Sequence, residues 1–406
     1  MKLLDTLRIL SVAFFSAVTL SCATAQVSDF EKWAKSPSGN LGEQRFAKAA
    51  LSKEEAHEAS FIVDSLWMNS VAKRLGRGWK DMTIANDSLQ LLCACRTFGG
   101  FPRDGRSLYI SLHGGGECAK EINDGQWANQ VYLYEPAEGV YIAPRAPWNT
   151  SDLWHRKGLD SLLEELIQAC VVFEGVNPNK VYLLGYSAGG DGVWRMAPRM
   201  ADKWAAASMM AGHPGEASQV NLLNLPFMIW MGENDSAYNR NILAKEKGEA
   251  LDSLSAANEG KYIHSTNILK NKGHWMDGED GVALGWMAQY RRNPYPKRVV
   301  WRQEAVTREC FYWLEAPADE LAHGKSVVAE INGNTINIEH CDYSTLTIYL
   351  NDALVNLDEK VVVLYKGKKI ASKRLKCTVA NMHESLNRRN DRSFAFPAVM
   401  KVMFDD

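Results

Sequence analysis

Ser187 stands between two glycines in "LLGYSAGG", directly after an apolar run at 181–184 and ahead of a segment of helical length. A strand that turns into a helix through Gly-x-Ser-x-Gly holds its serine in a strained backbone position and lifts the hydroxyl clear of the sheet's carboxyl edge. Gly185 and Gly189 are needed there because a Cβ would meet the neighbouring strand or helix. A serine hydroxyl is a poor nucleophile at its ordinary pKa, so the arrangement requires a base, a group that orients the base, and donors for an oxyanion. Five residues with three fixed positions recur by chance, and the partners therefore decide what Ser187 does.

Donors are offered by "SLHGGGE", where His113-Gly114-Gly115-Gly116 follows a strand-like run and leaves backbone N–H groups unshielded by side chains. The oxyanion would be held at Gly115 or Gly116 and at Ala188, the residue after the nucleophile. A phosphate loop is the rival, but no Lys-Ser/Thr follows the glycines. The acid is expected after a later strand, where "MGENDSAY" supplies Asp235, with Glu233 as the alternative. Among nine histidines the base is sought at His274 in "NKGHWMD", on a loop after the last strand candidate. His264 lies inside strand pattern, and His340 and His383 fall in the C-terminal part. A lone histidine is more often structural, but this one completes the order Ser187, Asp235, His274 on loops of successive strands.

These loops need a sheet to hold them. Short apolar runs at 107–113, 139–147, 180–186, 204–212, 226–232 and 261–269 read as strands, and 158–175, 187–200 and 241–256 between them have helix length. Such alternation predicts a mostly parallel α/β sheet with helices on both faces, whose strands lose both faces to the core. Residues 26–90 read as a helical N-terminal extension, with Phe61, Ile62, Leu66, Val71 and Leu75 near one face. Residues 91–296 read as the catalytic unit. Residues 297–406 read as a small antiparallel β unit, with hairpin turns at 331–335 and 365–369 and alternation at Ile336/Ile338 and Leu346/Ile348/Leu350.

With 46 basic against 48 acidic residues, nothing argues for nucleic acid or an anionic membrane as partner; a small or neutral molecule is expected. Residues 1–25 resemble a secretory signal, too short to span a bilayer, which predicts a secreted or periplasmic protein without stable membrane insertion. Cys22 in "TLSC" leaves a lipid-anchored outer-membrane or surface form as the alternative. The seven cysteines after residue 25 have irregular spacing, which predicts mostly buried thiols with at most one or two bridges and no zinc site.

The motifs "LHGGG", "GYSAGG", "MGEND" and "KGHW" resemble those of the α/β-hydrolase superfamily, most of all its secreted esterases of the polyhydroxybutyrate depolymerase and feruloyl esterase type. The likeness covers residues 90–290. It implies an acyl-enzyme mechanism through Ser187, His274 and Asp235 without a cofactor or metal. The cysteine and pocket pattern of the polymer depolymerases is missing, so polymer specificity does not carry over. Loops after the strands add Arg145, Trp148, Trp154, His155, His213 and Trp275; with His113 from the glycine loop, Trp148, Trp154, His213 and Trp275 are the candidate substrate contacts. Most of thirteen tryptophans must be packing residues, however. Asp191, in the first turn after Ser187, suits a helix N-terminus and reads as structural. The leading function is a carboxylic-ester hydrolase acting on an ester borne by a small molecule or a polysaccharide. A prolyl-oligopeptidase-like peptidase shares the chemistry, but 26–90 is too short for its propeller. A non-catalytic glycan-binding protein is the third reading.

Overall fold

The apolar runs become strands because both of their faces are covered. The computed structural model describes residues 25–404; the leader-like segment up to residue 24, with Cys22, lies outside them. Helices α1 (Ala25–Lys35) and α2 (Lys53–Lys80) lead into β1 (Thr83–Ala85), β2 (Gln90–Phe98) and β3 (Arg106–Leu112). Then follow α3 (Lys120–Leu133), β4 (Gly139–Arg145), α4 (Leu159–Phe173), β5 (Val176–Tyr186), α5 (Ala188–Arg199), β6 (Ala206–Met210), β7 (Phe227–Gly232), α6 (Arg240–Ala257), β8 (His264–Leu269) and α7 (Ala283–Met287). The eight strands form one sheet in the order β1-β2-β4-β3-β5-β6-β7-β8, parallel from β4 to β8 and antiparallel at β1 and β2.

The period of two along each strand divides the core. Leu108, Ile110, Leu112, Val181 and Leu183 point into one cluster with α2, α4 and α5, while Tyr109, Tyr182, Leu184 and Tyr186 point into another beneath α3 and α7. The strand order reverses between β3 and β5, and in such sheets the crevice for a ligand opens outside the carboxyl ends of the strands at that point. The boundary expected near residue 90 falls inside the sheet, since β1 and the start of β2 extend it. α2 begins with a full capping box, Ser52 and Glu55 each bonding the other's backbone N–H.

Beyond Tyr290, β9 (Arg298–Arg302), β12 (Ser326–Asn332), β13 (Thr335–Cys341), β15 (Lys360–Tyr365) and β16 (Lys368–Arg374) form a five-stranded sheet. A four-stranded sheet joins β10 (Cys310–Phe311), β11 (Leu314–Glu315), β14 (Thr345–Leu350) and β17 (Ala398–Met403). β13 and β15 pair in parallel, the others antiparallel. This region also carries α8 (Val379–Arg389), a helix that the reading of a purely β unit leaves out. Its Ile336, Ile338, Leu346 and Ile348 share one continuous apolar core with α2 and α4. Arg292 is buried with them: Nη1 donates to Asp202 O (2.7 Å), Nε to Asn179 Oδ1 (3.0 Å), and the guanidinium pairs with Asp391. All seven described cysteines are free thiols, and no helix of the described residues is long and apolar enough to cross a membrane.

Candidate active site

β5 ends at Tyr186, and Ser187 follows with φ 56° and ψ −122°, a conformation that a side chain with a Cβ adopts only under strain. Its N–H donates to Met210 O (2.9 Å), fixing the turn to the neighbouring strand. A Cβ on Gly185 would stand 2.5 Å from Gly189 O, and one on Gly189 2.0 Å from Leu112 O. The two glycines therefore let helix α5 start directly against the ends of β5 and β3.

Ser187 Oγ lies 2.9 Å from His274 Nε2, and His274 Nδ1 lies 2.7 Å from Asp235 Oδ2. The loops of Asp235 and His274 meet because their backbones touch: a Cβ on Gly232 would fall 2.0 Å from Gly273 O. Asp235 is buried, with its second oxygen 3.9 Å from Arg240 Nη1, and Asn241 N–H donates to its carbonyl (3.1 Å). Tyr186 adds a clamp that the sequence offers no sign of. Its hydroxyl donates to His274 O (2.7 Å) and accepts from Met276 N–H (3.0 Å), tying the histidine loop to the strand that carries the serine. Glu233, the alternative acid, instead accepts Asn271 N–H (3.1 Å) from the loop after β8. His264 and His340 pair with Asp252 and Asp342.

In the glycine loop the Gly116 N–H is already committed to Asn123 Oδ1 (2.8 Å), which corrects the expectation that either glycine could serve an oxyanion. Gly115, exposed and at φ 104°, has an N–H with no acceptor among the described residues, as does Ala188 at the first position of α5. Asn123 holds the loop from α3, its amide also donating to Cys118 O (3.3 Å) and Asn149 Oδ1 (3.2 Å).

His113 is fully buried beneath this loop rather than facing substrate. Ala146 N–H donates to Nε2 (3.1 Å), so the proton sits on Nδ1, which donates to Gly114 O (2.6 Å). Burial pushes its pKa down to about 4, keeping the ring neutral in that tautomer. Trp154 is likewise buried and donates from Nε1 to His113 O (2.9 Å). Both are positioning groups, and the expectation of substrate contact is corrected for them. The Trp148 ring is covered by the Arg156 guanidinium (5.2 Å). Arg145 is a buried clamp, bonding Asp124 Oδ1 (2.9 Å), Ala146 O (2.7 Å) and Trp148 O (3.1 Å). His155 lies in a separate cavity with Arg195, Glu304 and His323.

Two candidates remain open to a ligand. Trp275 is 51% exposed beside His274, its ring 5.6 Å from that of Tyr186. His213 is half-buried; Gly215 N–H donates to Nδ1 (2.9 Å), leaving the proton on Nε2. Burial, and then the neighbouring Arg195 and Arg240, hold its pKa below the usual value despite Asp191. Asp191 accepts the His213 N–H (2.6 Å), the structural role read for it, and burial raises its own pKa.

Strand order, serine turn and loop donors together define an α/β-hydrolase fold. No protein-family model matches the chain, and no curated protein sequence does. Among solved structures the chain is similar to a thermostable esterase at 18% identity and TM-score 0.38, over 52% of this chain and 62% of that one. It is also similar to the Bacillus cereus carboxylesterase (16%, TM-score 0.35, 49% and 94%) and to Est1E from Butyrivibrio proteoclasticus (13%, TM-score 0.34, 51% and 96%). The chain thus spans less than two thirds of the first of these. At such scores the fold assignment rests on this chain's own strand order and turn geometry.

Proposed function

We propose that the protein is a serine carboxylic-ester hydrolase in which Ser187 attacks, His274 moves the proton and Asp235 orients the imidazole. The observation that carries the reading is the chain of contacts Asp235–His274–Ser187 at 2.7 and 2.9 Å, set at the sheet's switch point beside two unoccupied N–H groups.

In this reading the proton of His274 rests on Nδ1 and points to Asp235, which leaves Nε2 to accept the Ser187 proton as Oγ forms its bond to the ester carbonyl carbon. The carbonyl oxygen becomes an oxyanion held by the N–H groups of Gly115 and Ala188. The oxyanion then collapses, the bond between the former carbonyl carbon and the alkoxy oxygen breaks, and His274 Nε2–H protonates the departing alkoxide. Water repeats the sequence on the acyl-enzyme, releasing the acid and Ser187. Trp275 and His213 flank the site as contacts for the acyl or alcohol part, and a sugar-borne or hydroxyacyl ester is the substrate class. The leader-like first 25 residues support export, which mass determination of the mature N-terminus tests.

Hydrolysis of p-nitrophenyl acetate and methyl ferulate should fall by ~10³-fold or more in Ser187→Ala. Equal rates in wild type and variant would refute the reading.

A further inference from the structure

β16 closes one edge of the five-stranded sheet and β17 one edge of the four-stranded sheet, and a groove of ≈ 860 Å³ is lined by residues of both. Lys366, Lys368, Lys369, Lys373 and Lys401 line it, and no lining residue is acidic. All five lysines are exposed, and none forms an ion pair among the described residues. Lysines on edge strands commonly deter pairing with other chains. That purpose does not require five of them to converge on one concave surface, in a chain whose acidic residues outnumber its basic ones by two. Uncompensated like charges repel one another, and a bound polyanion relieves that repulsion.

The rest of the groove says which polyanion. The free edges of β16 and β17 present backbone N–H and C=O groups, and Ser372 adds a hydroxyl, all suited to a hydroxyl-rich chain. Exposed Ile370 and Met403 supply apolar surface for the C–H faces of sugar rings. Tyr365 is packed against Phe404 (4.7 Å) and covered by the Lys366 ammonium (4.9 Å), so no aromatic platform is free for nucleic-acid bases. We propose that this groove binds an acidic polysaccharide, through carboxylate or sulfate groups spaced along the chain.

The proposal is independent of the ester-hydrolase reading. Affinity electrophoresis of the full chain through gels containing polygalacturonate, dextran sulfate or neutral dextran tests it. Retardation is expected with one or both polyanions but not with neutral dextran, and is lost at ~0.5 M salt, where screening is strong. Which polyanion retards more distinguishes carboxylate from sulfate. Replacing Lys366, Lys368, Lys369 and Lys373 together by Gln should weaken binding at least ~10-fold, whereas replacing them by Arg should preserve it. Thermal unfolding unchanged in both variants establishes that they fold. Undiminished retardation of the Gln variant, or tighter binding to anionic vesicles or single-stranded DNA than to either polysaccharide, would overturn the proposal.

Discussion

Gly189→Ala adds a single methyl group and should disable the site. The new Cβ would lie 2.0 Å from Leu112 O, 2.6 Å from Leu112 C and 3.0 Å from His113 O. A carbon rests about 3.5 Å from such neighbours, so α5 and the end of β3 must separate by more than ~1 Å. No rotamer relieves the contact, because every atom involved is backbone. Ser187 and Ala188 sit on one side of that contact and the glycine loop on the other, so the separation pulls Ser187 away from the proposed donor at Gly115. Overpacking of this kind costs ~1–3 kcal/mol of stability, which a domain survives. A displacement of ~1 Å between reacting groups costs ~10²-fold in rate. The expected variant is folded and slow. Its kcat for p-nitrophenyl acetate falls about a hundredfold, its KM moves much less, and its fluorophosphonate labelling slows in parallel. Wild-type kcat in a variant shown by mass to carry the substitution would refute the close-approach argument.

Three further expectations follow from contacts around the site. Asn123→Ala releases the Gly116 N–H and unties the loop, and should lower kcat by ~10-fold or more with a stability loss of about 1–3 kcal/mol from the buried groups left unpaired, as steady-state kinetics and denaturant unfolding would show. His113, with its folded pKa pushed down to about 4, stays neutral while the unfolded ring protonates near 6.5. Stability is therefore full above about pH 6.5 and declines by roughly 3 kcal/mol as pH falls to 4; His113→Asn should flatten that part of a denaturation series even if it is less stable at pH 7. Asp391→Ala leaves the buried Arg292 cation without its carboxylate, and denaturant unfolding should report a loss of roughly 3–5 kcal/mol.

The loops of the proposed site were legible because the residues that make them obey local rules. Buried parallel strands announce themselves as unbroken apolar runs, and close backbone approach leaves glycines at 185 and 189 as its trace. Ser187, Asp235 and His274 could thus be placed on three loops before any contact was known. The supporting groups follow no such rule. Tyr186 reaches Met276 and Asn123 reaches Asn149 through side-chain hydrogen bonds between residues far apart in the chain, which leave no spacing to read. α8 leaves little trace in the sequence because a mostly polar helix shows inward only Val379, Met382, Ser385, Leu386 and Arg389. His113 and Trp154 looked like ligand contacts because polar and aromatic residues in strand-end loops often are; the hydrogen bond from Trp154 to the His113 carbonyl places both under the loop instead.

The glycine loop marks the limit most clearly. Gly114, Gly115 and Gly116 are chemically identical, and nothing in their order distinguishes a free N–H from a committed one. Asn123, seven residues on, makes the distinction by accepting from Gly116, while the neutral His113 ring holds Gly114 by its carbonyl. Gly115, exposed between two tethered neighbours, is left with an N–H that has no acceptor among the described residues. A donor held in place before substrate arrives needs no reorganisation as charge develops, which is the property an oxyanion site requires.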